Sequence, residues 1–188
     1  MRRAGHLTRK LAIAAAAAVG ISVVASDAKA QSLLDEVRLG VLAHSIESGQ
    51  SEGGADINVE VLFRRPSISY RDALANFFLR PRVHAGAAIN TIGDTSQIYV
   101  GLTWDLKITQ RISLEASFGG AWHDGPTHGA APDLYGCSVN FRESFSVGYA
   151  LNDAWTVYGM IAHMSNANLC DHNSGITSAG VRVGYRFN

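Results

Sequence analysis

Residues 111–122, RISLEASFGGAW, alternate between two kinds of side chain. The even positions are apolar or glycine: Ile112, Leu114, Ala116, Phe118, Gly120 and Trp122. The odd positions are charged, polar or small: Arg111, Ser113, Glu115, Ser117 and Gly119. Because successive side chains of a β-strand point to opposite faces, this period of two predicts a strand with one apolar and one polar face.

The same alternation recurs along the chain and predicts eight strands. They lie near residues 36–48, 56–66, 77–90, 95–107, 111–122, 137–149, 155–165 and 176–187. Some connections are tight, whereas others are longer and rich in Gly, Asn, Ser and Asp. Aromatic residues gather near the strand ends, and the last strand finishes in Phe187-Asn188. Alternating turn lengths and aromatic girdles are typical of outer-membrane barrels.

We therefore predict an all-β fold, an eight-stranded antiparallel transmembrane β-barrel of the bacterial outer membrane. A closed barrel satisfies every backbone polar group within lipid, which an open sheet cannot do. A helical membrane protein is excluded, because no apolar run after residue 30 approaches the roughly 18 residues that a spanning helix needs.

The first thirty residues have the features of a secretory signal peptide. A basic start precedes the apolar run 11–24, and an A-x-A type cleavage site ends at Ala30. We predict residues 1–30 as signal peptide and 31–188 as a single barrel domain. Cleavage removes five of 16 basic and one of 16 acidic residues, which leaves 11 and 15 and a net charge of −4. Nucleic acid is not expected as a partner, since the mature chain carries one lysine and no basic patch.

Cys137 and Cys170 are the two cysteines of the chain. Outside the cytoplasm an isolated pair favours a disulfide over a metal site, and two buried thiols are the alternative. The sequence contains no CxxC, HExxH, P-loop or helix-opening GxGxxG motif. It therefore predicts neither a metal nor a cofactor.

His163 and Ser165 lie two residues apart near the end of the seventh predicted strand. Both have the parity of the residues expected to face lipid. A serine hydroxyl beside an imidazole is the pairing of a nucleophile with its general base. The alternative is a pair of polar residues at the membrane rim, where headgroups satisfy them.

The residues around this pair resemble a known family. Residues 163–169 read HMSNANL and residues 173–175 read NSG. They resemble the HxSNAxL and NxG segments of the outer-membrane lipid A deacylases, which are 3-O-deacylase-like acyloxyacyl hydrolases. Weaker resemblance covers residues 80–82, 86–95, 99–104 and 141–143.

The resemblance implies a carboxylic ester hydrolase of the cell outer membrane. Such an enzyme removes an ester-linked acyl chain from lipid A, the membrane anchor of lipopolysaccharide, in the outer leaflet. By position in the motif, Ser165 is the nucleophile and His163 the general base. The candidate oxyanion or substrate contacts are Asn166, Asn168, Asn173 and Phe141.

The acid of the site departs from the family pattern. The family carries a glutamate where this chain has Thr177, and a hydroxyl cannot supply the charge that stabilises an imidazolium. Glu143 breaks the alternation of its own strand and lies on the apolar face, opposite Gly159, Ile161 or His163 in the plausible registers. It is therefore a candidate replacement acid, and the alternative is an ion pair with Arg142 or at the membrane interface.

The missing glutamate keeps a second class of function open. In it, the chain is a non-catalytic outer-membrane barrel, an envelope scaffold or adhesin with a degenerate site. The sequence also leaves open whether the barrel forms a homodimer.

Overall fold

The structure of the protein, a computed structural model, describes residues 33–187. Its strands are β1 (Leu34–Ala43), β2 (Ala55–Phe63), β3 (Arg82–Asn90), β4 (Gln97–Lys107), β5 (Ile112–His123), β6 (Val139–Ala150), β7 (Trp155–Ser165) and β8 (Ile176–Arg186). A short helix, α1 (Ala73–Phe78), lies between β2 and β3. The predicted signal peptide lies outside the described residues.

Each strand pairs antiparallel with the next one, and β8 pairs antiparallel with β1. The sheet is therefore a closed barrel, and the prediction of eight antiparallel strands is confirmed. Closure leaves no strand edge unpaired, which is the condition for a sheet to exist in lipid.

The barrel interior holds a network of buried charges as well as buried apolar side chains such as Tyr99, Met164 and Ile176. Arg38 donates to both carboxylate oxygens of Glu115, at 2.7 and 2.8 Å, and to Glu36 at 2.8 Å. All three side chains are at most 5% exposed. The outward positions expose large apolar side chains, among them Leu39, Val41, Phe145, Val147, Val181 and Val183. This arrangement, polar inside and apolar outside, suits a barrel surrounded by lipid.

The two ends of the barrel differ in their connections. The end that carries residues 44–54, 91–96, 124–138 and 166–175 is called the loop end below. At the opposite end, two connections have only four residues, 108–111 and 151–154. The connection 64–81, also at that end, is long and contains α1.

Two predicted strands each extend five residues beyond the observed strand. The strand predicted over 77–90 begins at Arg82, because its first residues belong to α1 and the bend after it. Asp72 caps that helix by accepting a hydrogen bond from the Ala75 N–H, at 2.8 Å. The strand predicted over 36–48 ends at Ala43. Within residues 33–187, no helix is long and apolar enough to cross a membrane.

Candidate active site

His163 and Ser165 lie at the loop end of β7, on its outward face. Their neighbours Ala162 and Met164 point inward and are buried. Residues two apart on one face of a strand have Cα atoms roughly 7 Å apart, so both side chains can reach one reacting group. The His163 side chain is 32% exposed, which leaves the imidazole accessible from outside the barrel.

The imidazole of His163 is held by the last strand. Thr177 of β8 is directly opposite His163 in the β7–β8 register. The Thr177 hydroxyl lies 2.7 Å from Nδ1 of His163 and donates its own hydrogen to the Glu47 carboxylate. A hydroxyl that donates to a carboxylate can only accept from Nδ1–H, so this arrangement favours the tautomer whose Nε2 is a proton acceptor.

Gly175 forms the surface against which the other edge of the ring lies. Its φ is +70°, a conformation that side chains rarely adopt. A Cβ built at Gly175 would lie 3.1 Å from Cε1 and 3.5 Å from Nε2 of His163. The glycine of the NSG segment therefore allows the imidazole to approach the backbone closely.

Glu143 is on the opposite side of the same histidine. The β6–β7 register pairs Glu143 directly with His163, one of the three pairings expected from the sequence. Within the part of the chain that the structure describes, however, the Glu143 carboxylate forms neither a hydrogen bond nor an ion pair. The carboxylate that does connect to His163 belongs to Glu47, whose Oε1 lies 3.5 Å from Nδ1.

The backbone turns sharply after Ser165. Ala167 and Asn168 both have positive φ, at 53° and 60°, and the Leu169 N–H donates to the Asn166 carbonyl at 3.0 Å. Residues 166–169 therefore form a tight β-turn whose two central residues are left-handed, directly after Ser165. Asn tolerates this conformation better than most other non-glycine residues, so Asn168 can occupy this left-handed position.

The predicted contacts Asn166 and Asn173 hold this turn in place. Asn166 is buried, and its side-chain NH2 donates to the carbonyls of Tyr135 and His172, at 2.8 and 2.6 Å. The Asn166 backbone N–H donates to Oδ1 of Asn173 at 2.8 Å, and Nδ2 of Asn173 donates to Asn168 at 3.2 Å. The Asn166 side chain is therefore directed into the protein.

A disulfide joins Cys137 to Cys170, with Cα atoms 5.9 Å apart. Cys137 lies two residues before β6 begins, and Cys170 lies in the loop between β7 and β8. The bond ties that loop, which carries Asn168 and Asn173, to the connection before β6. In residues 33–187 no group of three or more His, Cys, Asp or Glu side chains is arranged to hold a metal ion.

An apolar groove runs along the outside of the barrel beside Ser165. Phe141 is the direct cross-strand neighbour of Ser165 and is one of the residues that line the groove. The groove has a volume of about 330 Å³, and its lining includes Phe118, Gly120, Val139, Phe141 and Leu169. Its shape and lining suit a flexible hydrocarbon chain.

Glu47 is the site residue that the sequence did not reveal. It lies in the connection after β1, 130 residues before the Thr177 that it contacts. One signal was available, because barrel closure pairs the first strand with the last one. An acidic residue shortly after β1 is thereby brought near the start of β8.

Comparisons with known proteins agree with the barrel fold. A sequence model of the family described as Lipid A 3-O-deacylase (PagL) matches residues 86–186. The crystal structure of the outer membrane enzyme PagL is similar in fold, with a TM-score of 0.60 at 19% sequence identity, over 81% of this chain and 99% of that one. Neisserial surface protein A is also similar, with a TM-score of 0.54 at 11% identity, over 81% and 96% of the two chains. No curated protein sequence matches the chain.

Proposed function

This chain belongs to the lipid A 3-O-deacylase (PagL) family, and on that premise we propose that it hydrolyses its ester substrate with Ser165 as nucleophile and His163 as general base. A barrel of this family lies in the Gram-negative outer membrane, where lipid A is the expected substrate. The observation that carries the proposal is that Ser165 and His163 are both partly exposed on the outside of the barrel, where a lipid can reach them.

The chemistry follows the order of a serine esterase. Oγ of Ser165 bonds to the ester carbonyl carbon while Nε2 of His163 takes the hydroxyl proton, and the carbonyl oxygen becomes an oxyanion. When this intermediate collapses, the bond to the sugar oxygen breaks and His163 returns the proton to that oxygen. Water then attacks the acyl-serine with the help of His163 and releases the fatty acid.

Stabilisation of the oxyanion is assigned to the turn after the nucleophile. The backbone N–H groups of Ala167 and Asn168 come two and three residues after Ser165, in the tight left-handed turn described above. The Asn173 and Asn166 amides support that turn, so their contribution is to hold the donors in position. Preorganised donors of this kind are worth about 100- to 1,000-fold in rate in serine hydrolases.

We expect the substrate to reach the site by lateral diffusion within the outer leaflet of the membrane. The apolar groove beside Phe141 would take one acyl chain and present its ester at Ser165. The alternative function considered from the sequence is a non-catalytic scaffold or adhesin barrel. A finding of no hydrolysis would support that alternative. The homodimer considered from the sequence has no support in the comparisons and is not proposed.

Mass spectrometry of lipid A from a host without its own deacylases tests the proposal. Expression of the wild type should remove one ester-linked acyl chain, and Ser165→Ala and His163→Asn should each abolish that loss. Ser144→Ala is the matched control, because its hydroxyl faces the interior and bonds to Ser117 at 2.6 Å. All variants should keep heat-modifiable migration on gels. Unchanged lipid A with a folded wild-type barrel would refute the enzyme and favour the non-catalytic barrel.

A further inference from the structure

We propose that Glu47 is the positioning acid of this site and that it acts on His163 through the hydroxyl of Thr177. The inference rests on the proposed Ser165–His163 chemistry and extends it. Its basis is the chain of contacts from Nδ1 of His163 to Thr177, at 2.7 Å, and from the Thr177 hydroxyl to the Glu47 carboxylate.

A catalytic histidine needs a partner on the nitrogen that does not face the nucleophile. That partner fixes the tautomer and orients the ring, and a negative charge stabilises the imidazolium that forms when the nucleophile loses its proton. Thr177 fixes the ring but carries no charge. Glu47 supplies the charge, since its Oε1 lies 3.5 Å from Nδ1, within the range of an ion pair once the ring is protonated.

The conformation of the loop after β1 places Glu47 beside Thr177 and His163. Ser45 has φ +49°, which turns the chain out of the β1 register. The next N–H, from Ile46, donates to the Thr177 carbonyl at 2.8 Å, so the loop is pinned to the residue whose hydroxyl it contacts. Gln50 then donates to Oε2 of Glu47 at 3.3 Å and to the Ser174 carbonyl at 2.9 Å. The Glu47 carboxylate thus accepts hydrogen bonds from both Thr177 and Gln50.

Exposure also favours Glu47 over the other nearby carboxylate. Its side chain is 38% exposed, so water solvates the charge at the loop end of the barrel. Glu143 has the direct cross-strand position opposite His163. Across residues 33–187, however, Glu143 accepts no hydrogen bond, whereas Glu47 accepts one from Thr177 and one from Gln50.

The first experiment measures kcat and KM on purified lipid A in detergent. Glu47→Gln and Thr177→Val should each lower kcat at least tenfold with KM little changed, because they weaken the stabilisation of the imidazolium and not the grip on the acyl chain. Thr177→Glu, introduced into Glu47→Gln, should restore kcat by placing the carboxylate directly opposite His163. Asp171→Asn is the matched control: Asp171 is an exposed acid of the neighbouring loop with no hydrogen-bond partner within 33–187.

The second experiment does not depend on activity. Spectra of the protein with ¹⁵N-labelled histidine, assigned through His163→Asn, report which ring nitrogen of His163 carries the proton. The neutral wild-type ring should be protonated at Nδ1, and Thr177→Val should shift it toward Nε2–H. An inactive wild type with an Nδ1-protonated ring would refute the proposed function and leave the positioning inference standing. An active wild type in which Glu47→Gln is silent, or in which Glu143→Gln causes the loss instead, would overturn the inference itself.

Discussion

Phe141 lies directly opposite Ser165 across the β6–β7 pair and lines the apolar groove, so the groove reaches the cross-strand neighbour of the proposed nucleophile. The Phe141 ring stacks on Phe118 of β5, with centroids 5.8 Å apart, and this stack fixes one wall of the groove. An acyl chain lying in the groove would have its ester at the Ser165 hydroxyl. The groove therefore predicts where the acyl chain of the substrate lies. A substitution that fills the groove tests this prediction.

Gly120→Leu should block the groove and leave the barrel intact. A Cβ at Gly120 would meet nothing closer than the Asn140 carbonyl at 3.8 Å, so the larger side chain fits the backbone and occupies the space of the acyl chain. We expect kcat/KM on long-chain lipid A to fall by about tenfold or more, since a few methylenes in an apolar site are worth this much. Steady-state kinetics with short and long acyl esters measures it.

Gly159→Leu is the matched control for this substitution. Gly159 also lies on the outward face, on β7, and a Cβ there meets nothing within 4 Å. It lies outside the groove lining, so kcat/KM should stay near the wild-type value. Equal losses in the two variants would show that the groove does not hold the acyl chain.

Gly175→Ala should displace the catalytic imidazole. The added methyl would lie 3.1 Å from Cε1 of His163, and φ of +70° strains any side chain. Because a shift of about 1 Å in a catalytic group can cost 100-fold, kcat should fall by between ten- and 100-fold. Gly129→Ala separates contact with the ring from backbone strain. Gly129 has φ +107°, but no atom lies within 4 Å of its Cβ position. Similar kcat losses in both variants would point to backbone strain in general and not to contact with the ring.

The Cys137–Cys170 bond should stabilise the loop that carries Asn168 and Asn173. The cysteines are 33 residues apart, and the chain-entropy model assigns a loop of this size about 3–4 kcal/mol. Replacing both cysteines with serine should therefore lower the temperature of heat-modifiable migration and reduce kcat. Alkylation of both thiols in unreduced protein would contradict the bond.

The strands were predictable because a lipid-surrounded barrel imposes its period of two on the sequence directly. The errors occurred where distant contacts end a strand. β1 stops at Ala43 because the next residue, His44, bonds to Asp56 and Glu52, which no local pattern reveals. The start of β3 was missed because apolar Phe77 and Phe78 continue the strand pattern while Asp72 caps a helix.

The site residues likewise fall into those that local sequence predicts and those that depend on distant contacts. The shared face of His163 and Ser165 follows from spacing within one strand, and the pairing of Glu143 with His163 is one of the three registers that the short turn 151–154 allows. Glu47 reaches Thr177 only because the first and last strands close the barrel. The hydrogen bonds that direct one carboxylate, and not the other, to the imidazole depend on a bend at Ser45 that composition does not predict.

His44 gives the loop that carries Glu47 a dependence on pH. Nδ1 lies 2.9 Å from the Asp56 carboxylate and Nε2 lies 3.1 Å from Glu52. Burial opposes the charged ring, but hydrogen bonds to these two carboxylates outweigh it and raise the pKa of His44 to about 9. Burial likewise opposes the charge of Glu52, and its hydrogen bonds with His44 and Thr95 lower its pKa below the usual range.

The raised pKa of His44 and the lowered pKa of Glu52 determine how the stability of this loop changes with pH. A pKa raised in the folded state means that the charged His44 contributes its full stability below about pH 6.5 and loses it as the pH rises through about 9. The Glu52 contribution is present above about pH 4.5 and is lost as the pH falls through its lowered pKa. Limited proteolysis of residues 44–54 should accordingly be slow near pH 6 and much faster at pH 9.5. His44→Gln should be cleaved faster than the wild type at pH 6, with little further change up to pH 9.5. A wild-type loop equally protected at both pH values would show that the charged histidine does not hold it.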